Sequence, residues 1–201
     1  MLKEIRPAVI LLLGLTVITG LAYPLGMTGI AGLLFPTQAQ GSLIERDGKV
    51  IGSALIGQEF TSDQYFHGRP SATTGPDPKD ATKTVPQPYN AINSMGANLG
   101  PTSKALIDRV TEDTEKLKAE NPSMPVPIDL VTTSGSGLDP NISPEGALFQ
   151  VPRIAKARKL SEDLLRQLVM EKTEGRFAGL LGEPRVNVLA LNLALDGAAT
   201  K

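Results

Sequence analysis

The sequence predicts an α+β protein, with one N-terminal transmembrane helix followed by a single mixed soluble domain carrying long Pro/Gly-rich loops. Three observations predict it. No charged side chain lies between Arg6 and Glu45. A hairpin signature and a late apolar run then bracket the remainder, and amphipathic segments lie between them. With 201 residues the chain has room for an anchor and one domain of ordinary size. The expected division is 1–36 for the cytoplasmic N-terminus and anchor, and 37–201 for an extracytoplasmic domain.

The anchor is read from Ala8 to Leu25, AVILLLGLTVITGLAYPL. About 19 helical residues at a 1.5 Å rise span roughly 30 Å, the thickness of a bilayer's hydrocarbon core. Thr16 and Thr19 can bond their hydroxyls back to helix carbonyls, and Tyr23 suits an interface. Pro24 and the series Gly26, Gly29, Gly32 are expected to loosen the far end. A cleaved signal peptide has the same layout, but its apolar core is shorter and a clean small-residue cleavage site is lacking here. Lys3 and Arg6 abut the helix on one side, whereas the first basic residue beyond it is Arg46. The positive-inside rule therefore places the N-terminus in the cytoplasm and the domain on the opposite face.

Leu43 to Phe60 holds two apolar stretches around Asp47-Gly48, the short-range mark of a β-hairpin. Residues 61–102 are rich in Pro, Gly, Ser, Thr and Asn without periodicity, a length of loop usually functional or partner-bound. A helix follows from Ser103 to Glu120, with Leu106, Ile107, Val110 and Leu117 as its apolar stripe. Ile128 to Thr132 reads as a short buried strand. Ser143 and Pro144 open a short helix, and Pro152 starts or kinks another, with Leu164, Leu165, Leu168 and Val169 as its stripe. Arg185 to Leu195 is read as a last strand.

Composition excludes several function classes. Lys+Arg of 20 against Asp+Glu of 21 leaves a net charge of −1, without the basic excess of a nucleic-acid surface. With no cysteine, disulfides, thiolate metal sites and thiol nucleophiles are out, and one histidine, His67, cannot build a multi-histidine cage. Catalytic and metal residues are accordingly assigned as none.

Two segments could carry chemistry. Ser134, Gly135, Ser136, Gly137 and Asp139 form a Gly-rich turn between a strand and a helix, a setting that can aim N–H groups at a phosphate. It lacks the Lys-Ser/Thr of a P-loop, so a tight structural turn is the favoured reading and nucleotide contact the weaker one. Tyr65, Phe66, His67 and Arg69 put an aromatic pair beside the His and an Arg. Nothing selects a nucleophile for His67, so packing or a partner interface is favoured. On the anchor, Gly14 and Gly20, with Thr16 and Ala22, are candidate helix-contact positions.

Taken in order, Gly52–Gln58, Tyr65–Ala72, Asn98–Pro101, Asp129–Val131, Ser134–Pro140, Ile142–Pro144, Gln150, Val151, Arg153, Ala157, Arg158 and Gly182–Val188 resemble the C subunit of the bacterial Kdp potassium-transporting P-type ATPase. The resemblance runs from the anchor to Leu195, with two departures: Asn141 stands where the family commonly has His, and Ser94–Ala97, with Met95, replaces a more Gly/Ser-rich run. It implies a non-catalytic accessory subunit of a high-affinity, ATP-driven potassium uptake complex in the bacterial inner membrane. The implied partners are a channel-like potassium-binding subunit, the P-type ATPase subunit and a small hydrophobic subunit, besides membrane lipid. It also implies a catalytic chaperone that raises the ATPase subunit's affinity for ATP, with ATP and K+ handled by the complex and no cofactor bound directly. An external domain and direct ATP contact exclude each other, and the charge argument favours the external domain. The alternative is a membrane-anchored extracytoplasmic binding module for a small ligand or an envelope partner. An anchored hydrolase would need a triad that the sequence does not offer.

Overall fold

The computed structural model describes residues 2–199, and the chain divides into two compact units between Ile51 and Gly52. The first unit opens on helix α1 (Leu2–Val17), a π turn (Ile18–Ala22) and helix α2 (Tyr23–Leu34), then one turn of helix, α3 (Pro36–Ala39). Lys3–Leu34 runs 32 residues without a helical break and is long and apolar enough to cross a membrane. Its large side chains stand exposed, Leu12 by 65% and Leu33 by 84%.

The expected loosening at Pro24 does not occur. Pro24 lacks an N–H, and its ring would crowd the carbonyl four residues back. The chain answers by widening the preceding turn: the Tyr23 N–H donates to Ile18 O, five residues back. Thr19 Oγ1 donates to Leu15 O at 2.7 Å and Thr28 Oγ1 to Pro24 O at 2.8 Å, so neither hydroxyl is left bare. Strands β1 (Leu43–Arg46) and β2 (Lys49–Ser53) form the expected hairpin. Its turn needs left-handed backbone at both central residues, and Asp47 (φ 53°) and Gly48 (φ 72°) supply it.

In the second unit, residues 61–102 are irregular apart from a small antiparallel pair, β3 (Thr74–Pro76) with β4 (Thr84–Pro86). Helix α4 (Lys104–Glu120) follows. Ile128–Leu130 is a 3-10 turn in place of the expected strand. The Leu130 and Val131 N–H groups turn back onto Pro127 O and Ile128 O, each at 3.2 Å, and Thr132 Oγ1 folds back onto Ile128 O at 2.7 Å.

Strand β5 (Asn141–Ile142) leads into helix α5 (Pro144–Arg158), one helix where two were expected. Ser143 caps it by accepting the Gly146 N–H, and Pro152 is held inside. The break comes at Lys159 (φ 58°), where the Leu160 N–H returns to Ala155 O at 3.1 Å. Helix α6 (Glu162–Glu171) starts on Ser161, whose side chain accepts the Leu164 N–H. Strands β6 (Thr173–Glu174) and β7 (Arg185–Asn187) follow, and the sheet order is β5-β7-β6, antiparallel, with Val186 opposite both Ile142 and Thr173.

The predicted last strand stops at Asn187, and Val188–Ala199 is helix α7. Its residues are apolar enough to be covered nearly all round, and such a run does not distinguish strand from helix by period. Asn187 decides the matter locally, because its Oδ1 accepts the Ala190 N–H at 3.0 Å as a helix cap. Phe149, Val151 and Ile154 of α5, Leu165 and Val169 of α6, Val186 of β7, and Leu191 and Leu195 of α7 make the core with Phe66, all essentially without exposure. Each fully buried aliphatic or aromatic side chain contributes about 1.5–3 kcal/mol relative to exposure.

Candidate functional site

The segment Ser62–Arg69 has no regular structure, and side chains of α5 and α7 hold it down. Asn192 bonds both backbone groups of Phe66, and Gln150 bonds those of His67 at 2.8 and 3.1 Å. Arg153 donates to Asp63 O at 2.7 Å and Tyr65 O at 3.1 Å, and also pairs with Glu120 at 2.7 Å. Arg158 donates to Gln64 O, pairs with Asp196 at 2.7 Å, and lies 4.6 Å above the Tyr65 ring. Buried amides and guanidinium groups therefore do for this loop what a sheet ladder does for a strand.

The four residues singled out here are placed differently. Phe66 is fully buried in the core. Tyr65 is half-buried beneath Arg158 and against Phe60, with ring centroids 5.7 Å apart. The His67 Nε2 lies 3.0 Å from Ser62 O, at a cleft of about 270 Å³ shared with Lys116, Glu120 and Arg153. Burial, then the Arg153 charge, hold the His67 imidazole below its ordinary range, and the Ser62 carbonyl opposes them. Arg69 turns the other way, reaching Asp139 at 3.0 Å and the carbonyls of Thr132 and Thr133 at 3.4 Å. That pair joins the two candidate segments.

In the Gly-rich turn the Ser134 Oγ, itself nearly buried, accepts the Gly137 N–H at 2.9 Å, and the Ser136 Oγ accepts the Leu138 N–H at 3.1 Å. Asp139 Oδ1 accepts the Asn141 N–H at 3.0 Å. The turn's carbonyls are also used: Ser136 O accepts Met95 N–H, Gly137 O accepts Ser71 Oγ, and Leu138 O accepts Gly57 N–H. Gly137 (φ 68°) sits so close to Met95 O and the Thr73 methyl that a Cβ would lie 2.6 Å from each. Two of the turn's N–H donors, those of Gly137 and Leu138, are thus engaged within the domain. Tyr89 closes the other side, its hydroxyl donating to Arg69 O at 2.7 Å. Burial, reinforced by the Asp139 charge, pushes that phenol up to about 12.

A cleft of about 410 Å³ opens beside this junction, lined by Arg69, Asp129, Asp139, Asn141, Ser143 and Arg185 among others. Asp129, which sequence reasoning did not single out, accepts the Ser143 N–H at 2.7 Å and the Ser143 hydroxyl at 3.0 Å. It sits at the N-terminus of α5, where a negative charge is favoured. An acid spaced 14 residues from a helix cap gives no local signal. Among the described residues no group of acidic or His side chains could hold a metal ion. On the N-terminal helix, Thr16 and Gly20 share a face, the Thr16 methyl lying 3.9 Å from where a Gly20 Cβ would stand. Gly14, six residues before Gly20, lies roughly a third of a turn away at about 100° per residue.

The profile of the family described as K+-transporting ATPase, c chain matches residues 5–197. The chain belongs to the KdpC family. A potassium-transporting ATPase KdpC subunit of Rhodopseudomonas palustris (strain BisB18) is 76% identical over 198 residues, covering 98% of this chain and 100% of that protein. The KdpC subunit of Bradyrhizobium diazoefficiens is 75% identical over 201 residues, and that of Methylobacterium nodulans 70%, each covering 100% of both chains. These KdpC relatives are named as one subunit of an ATPase, a component of a complex and not an enzyme on its own.

Proposed function

We propose that this chain is the non-catalytic accessory subunit of an ATP-driven potassium uptake complex, held in the bacterial inner membrane by its N-terminal helix. The observation that carries the reading is likeness to KdpC subunits over essentially the whole chain, at residues 5–197. The geometry supports it from another side. The Gly137 and Leu138 N–H groups, the backbone of Phe66 and His67, and the Arg69–Asp139 pair are bonded within the domain itself, as suits a rigid scaffold for assembly. Lys3 and Arg6 on one side of the helix support a cytoplasmic N-terminus and an extracytoplasmic domain. Its partners are then the channel-like subunit, the ATPase subunit and the small hydrophobic subunit. On this reading any gain in ATP affinity is transmitted through the complex, and Ser134, Ser136 and Asp139 do not touch nucleotide.

Co-purification tests the core of the proposal. A tagged chain is expected to bring down the ATPase and channel subunits, and a chain that never does so overturns it. The mode of action is tested with Ser136→Ala and Asp139→Asn in the assembled complex. Apparent ATP affinity is expected to stay within twofold, whereas a large loss at intact assembly would return nucleotide contact to this turn. Orientation is read by placing Cys at Asp80 in a chain that has no cysteine. A membrane-impermeant thiol reagent is expected to reach it in spheroplasts.

A further inference from the structure

Helix α4 lies on its domain without being built into it. None of its residues is buried. Its inward stripe of Leu106, Val110 and Leu117 is half-buried, and of these Leu117 alone packs against the core cluster. Two charged residues, Arg109 and Asp113, share that face. The Arg109 Nη1 donates to Val131 O at 3.3 Å and lies 3.6 Å from Asp113. Its Nη2 is the one buried side-chain nitrogen or oxygen without a partner among the described residues. A buried donor left unpaired opposes the docking that buries it. The hold is firmer at the C-terminal end, where Glu120 pairs with Arg153 at 2.7 Å and the Asn121 amide donates to Phe149 O at 2.8 Å.

The chain's single histidine faces the cleft that α4 closes. The charged groups around it are Asp63 from its own segment, Asp113, Lys116 and Glu120 from α4, and Arg153 from α5. With Nε2 3.0 Å from the Ser62 carbonyl, that nitrogen carries the proton of the neutral ring, and acid fills Nδ1. The imidazolium is then held out of water beside the Arg153 guanidinium, and lifting α4 returns it to solvent. We propose that α4 is an acid-released lid: protonation of His67 favours a state in which the helix, still tethered at Asn121, lifts from α5 and from Ser62–Arg69 and opens the cleft. The proton shifts the population only because it binds the open state better, and each unit of pKa between the two states is worth about tenfold in the open fraction. Between pH 7.5 and 5.5 no other side chain of this composition titrates at its ordinary value, since cysteine is absent and carboxyls lie lower.

The test follows amide hydrogen exchange of the untagged full-length chain in detergent micelles from pH 7.5 to 5.5, corrected for intrinsic exchange rates. The one imidazole is titrated by NMR in the same samples. Amides of Leu106–Leu117 are expected to exchange faster than those of α5 at every pH. Their protection should fall severalfold on acidification, within the interval between the ordinary imidazole value, about 6.5, and the measured one. His67→Gln should remove that pH dependence and leave α4 the faster-exchanging helix. Protection of α4 that does not change with pH in the wild type overturns the lid, as does a fall that persists in H67Q. Exchange of α4 only in step with α5 also overturns it, in favour of global unfolding. Unfolding at pH 7.5 verifies the fold of H67Q; should that variant not fold, the wild-type titration still decides, because an imidazole midpoint at or above the ordinary value overturns the proposal.

Discussion

The backbone N–H of Phe66 donates to Oδ1 of Asn192 at 2.8 Å, and the Nδ2 of the same amide donates to the Phe66 carbonyl at 3.0 Å. Asn192 is 2% exposed and Phe66 fully buried, so water cannot replace either bond. Asn192→Ala leaves two buried backbone groups unpaired, at about 1–3 kcal/mol each. We expect a total loss of about 2–6 kcal/mol in urea unfolding and a midpoint lower by at least about 4 °C. Arg166→Ala, which breaks an exposed pair with Glu162 on α6, should cost no more than about 0.5 kcal/mol.

Two glycines separate strain from crowding. Gly137 and Gly182 both have left-handed backbone, φ 68° and 82°, but a Cβ on Gly182 meets nothing within 4 Å. Gly182→Ala should cost about 1–2 kcal/mol from conformation alone. Gly137→Ala adds an overlap with Met95 O and Thr73, so it should cost about 1–3 kcal/mol more. Equal midpoints for the two variants would contradict the close approach of these segments.

The buried imidazole of His67 predicts a pH dependence with a definite sign. Its folded pKa lies below the ordinary imidazole value, so the unfolded chain binds the proton more readily. This contribution is full above about pH 6.5 and fades as pH falls toward the folded pKa. Comparing wild type with His67→Gln between pH 7.5 and 5.5 isolates it: wild type should lose more stability on acidification than the variant.

Arg69 and Asp139 pair with side chains 24% and 28% exposed, so solvent screens part of the attraction. A double-mutant cycle with Arg69→Met and Asp139→Asn should return a coupling of about 1 kcal/mol. Arg69→Met alone should cost more than Asp139→Asn, since it also leaves the Thr132 and Thr133 carbonyls without their donor.

Features with a local cause were readable in advance. The Asp47-Gly48 hairpin, the stripe of α6 and the Ser143 cap each follow from a few adjacent residues. The ends of the apolar runs were not, because Val188–Ala199 has no period to separate helix from strand, and its fate turned on one capping side chain, Asn187. Residues 61–102 could be read as irregular but not as ordered. Their order comes from side chains reaching distant backbone, such as Thr73 Oγ1 to Gln87 O at 2.6 Å and Tyr89 N–H to Ser71 Oγ at 3.0 Å. For the same reason the ion pair joining the two candidate segments, 70 positions apart in sequence, left no trace in spacing.

The π turn at Ile18–Ala22 also resets the rotational phase of the N-terminal helix. Its one extra residue rotates everything from Tyr23 onward by about 100° relative to an uninterrupted helix. The side carrying Thr16 and Gly20 is therefore not continued where ordinary counting would put it, and Gly26, Gly29 and Gly32 belong to a differently indexed half. A neighbouring helix aligned with the first half would meet a step at mid-length, so the two halves offer distinct surfaces to whatever surrounds them. Deleting one residue within Ile18–Ala22 would let the turn close to ordinary α-helix and leave both halves on the faces they now present.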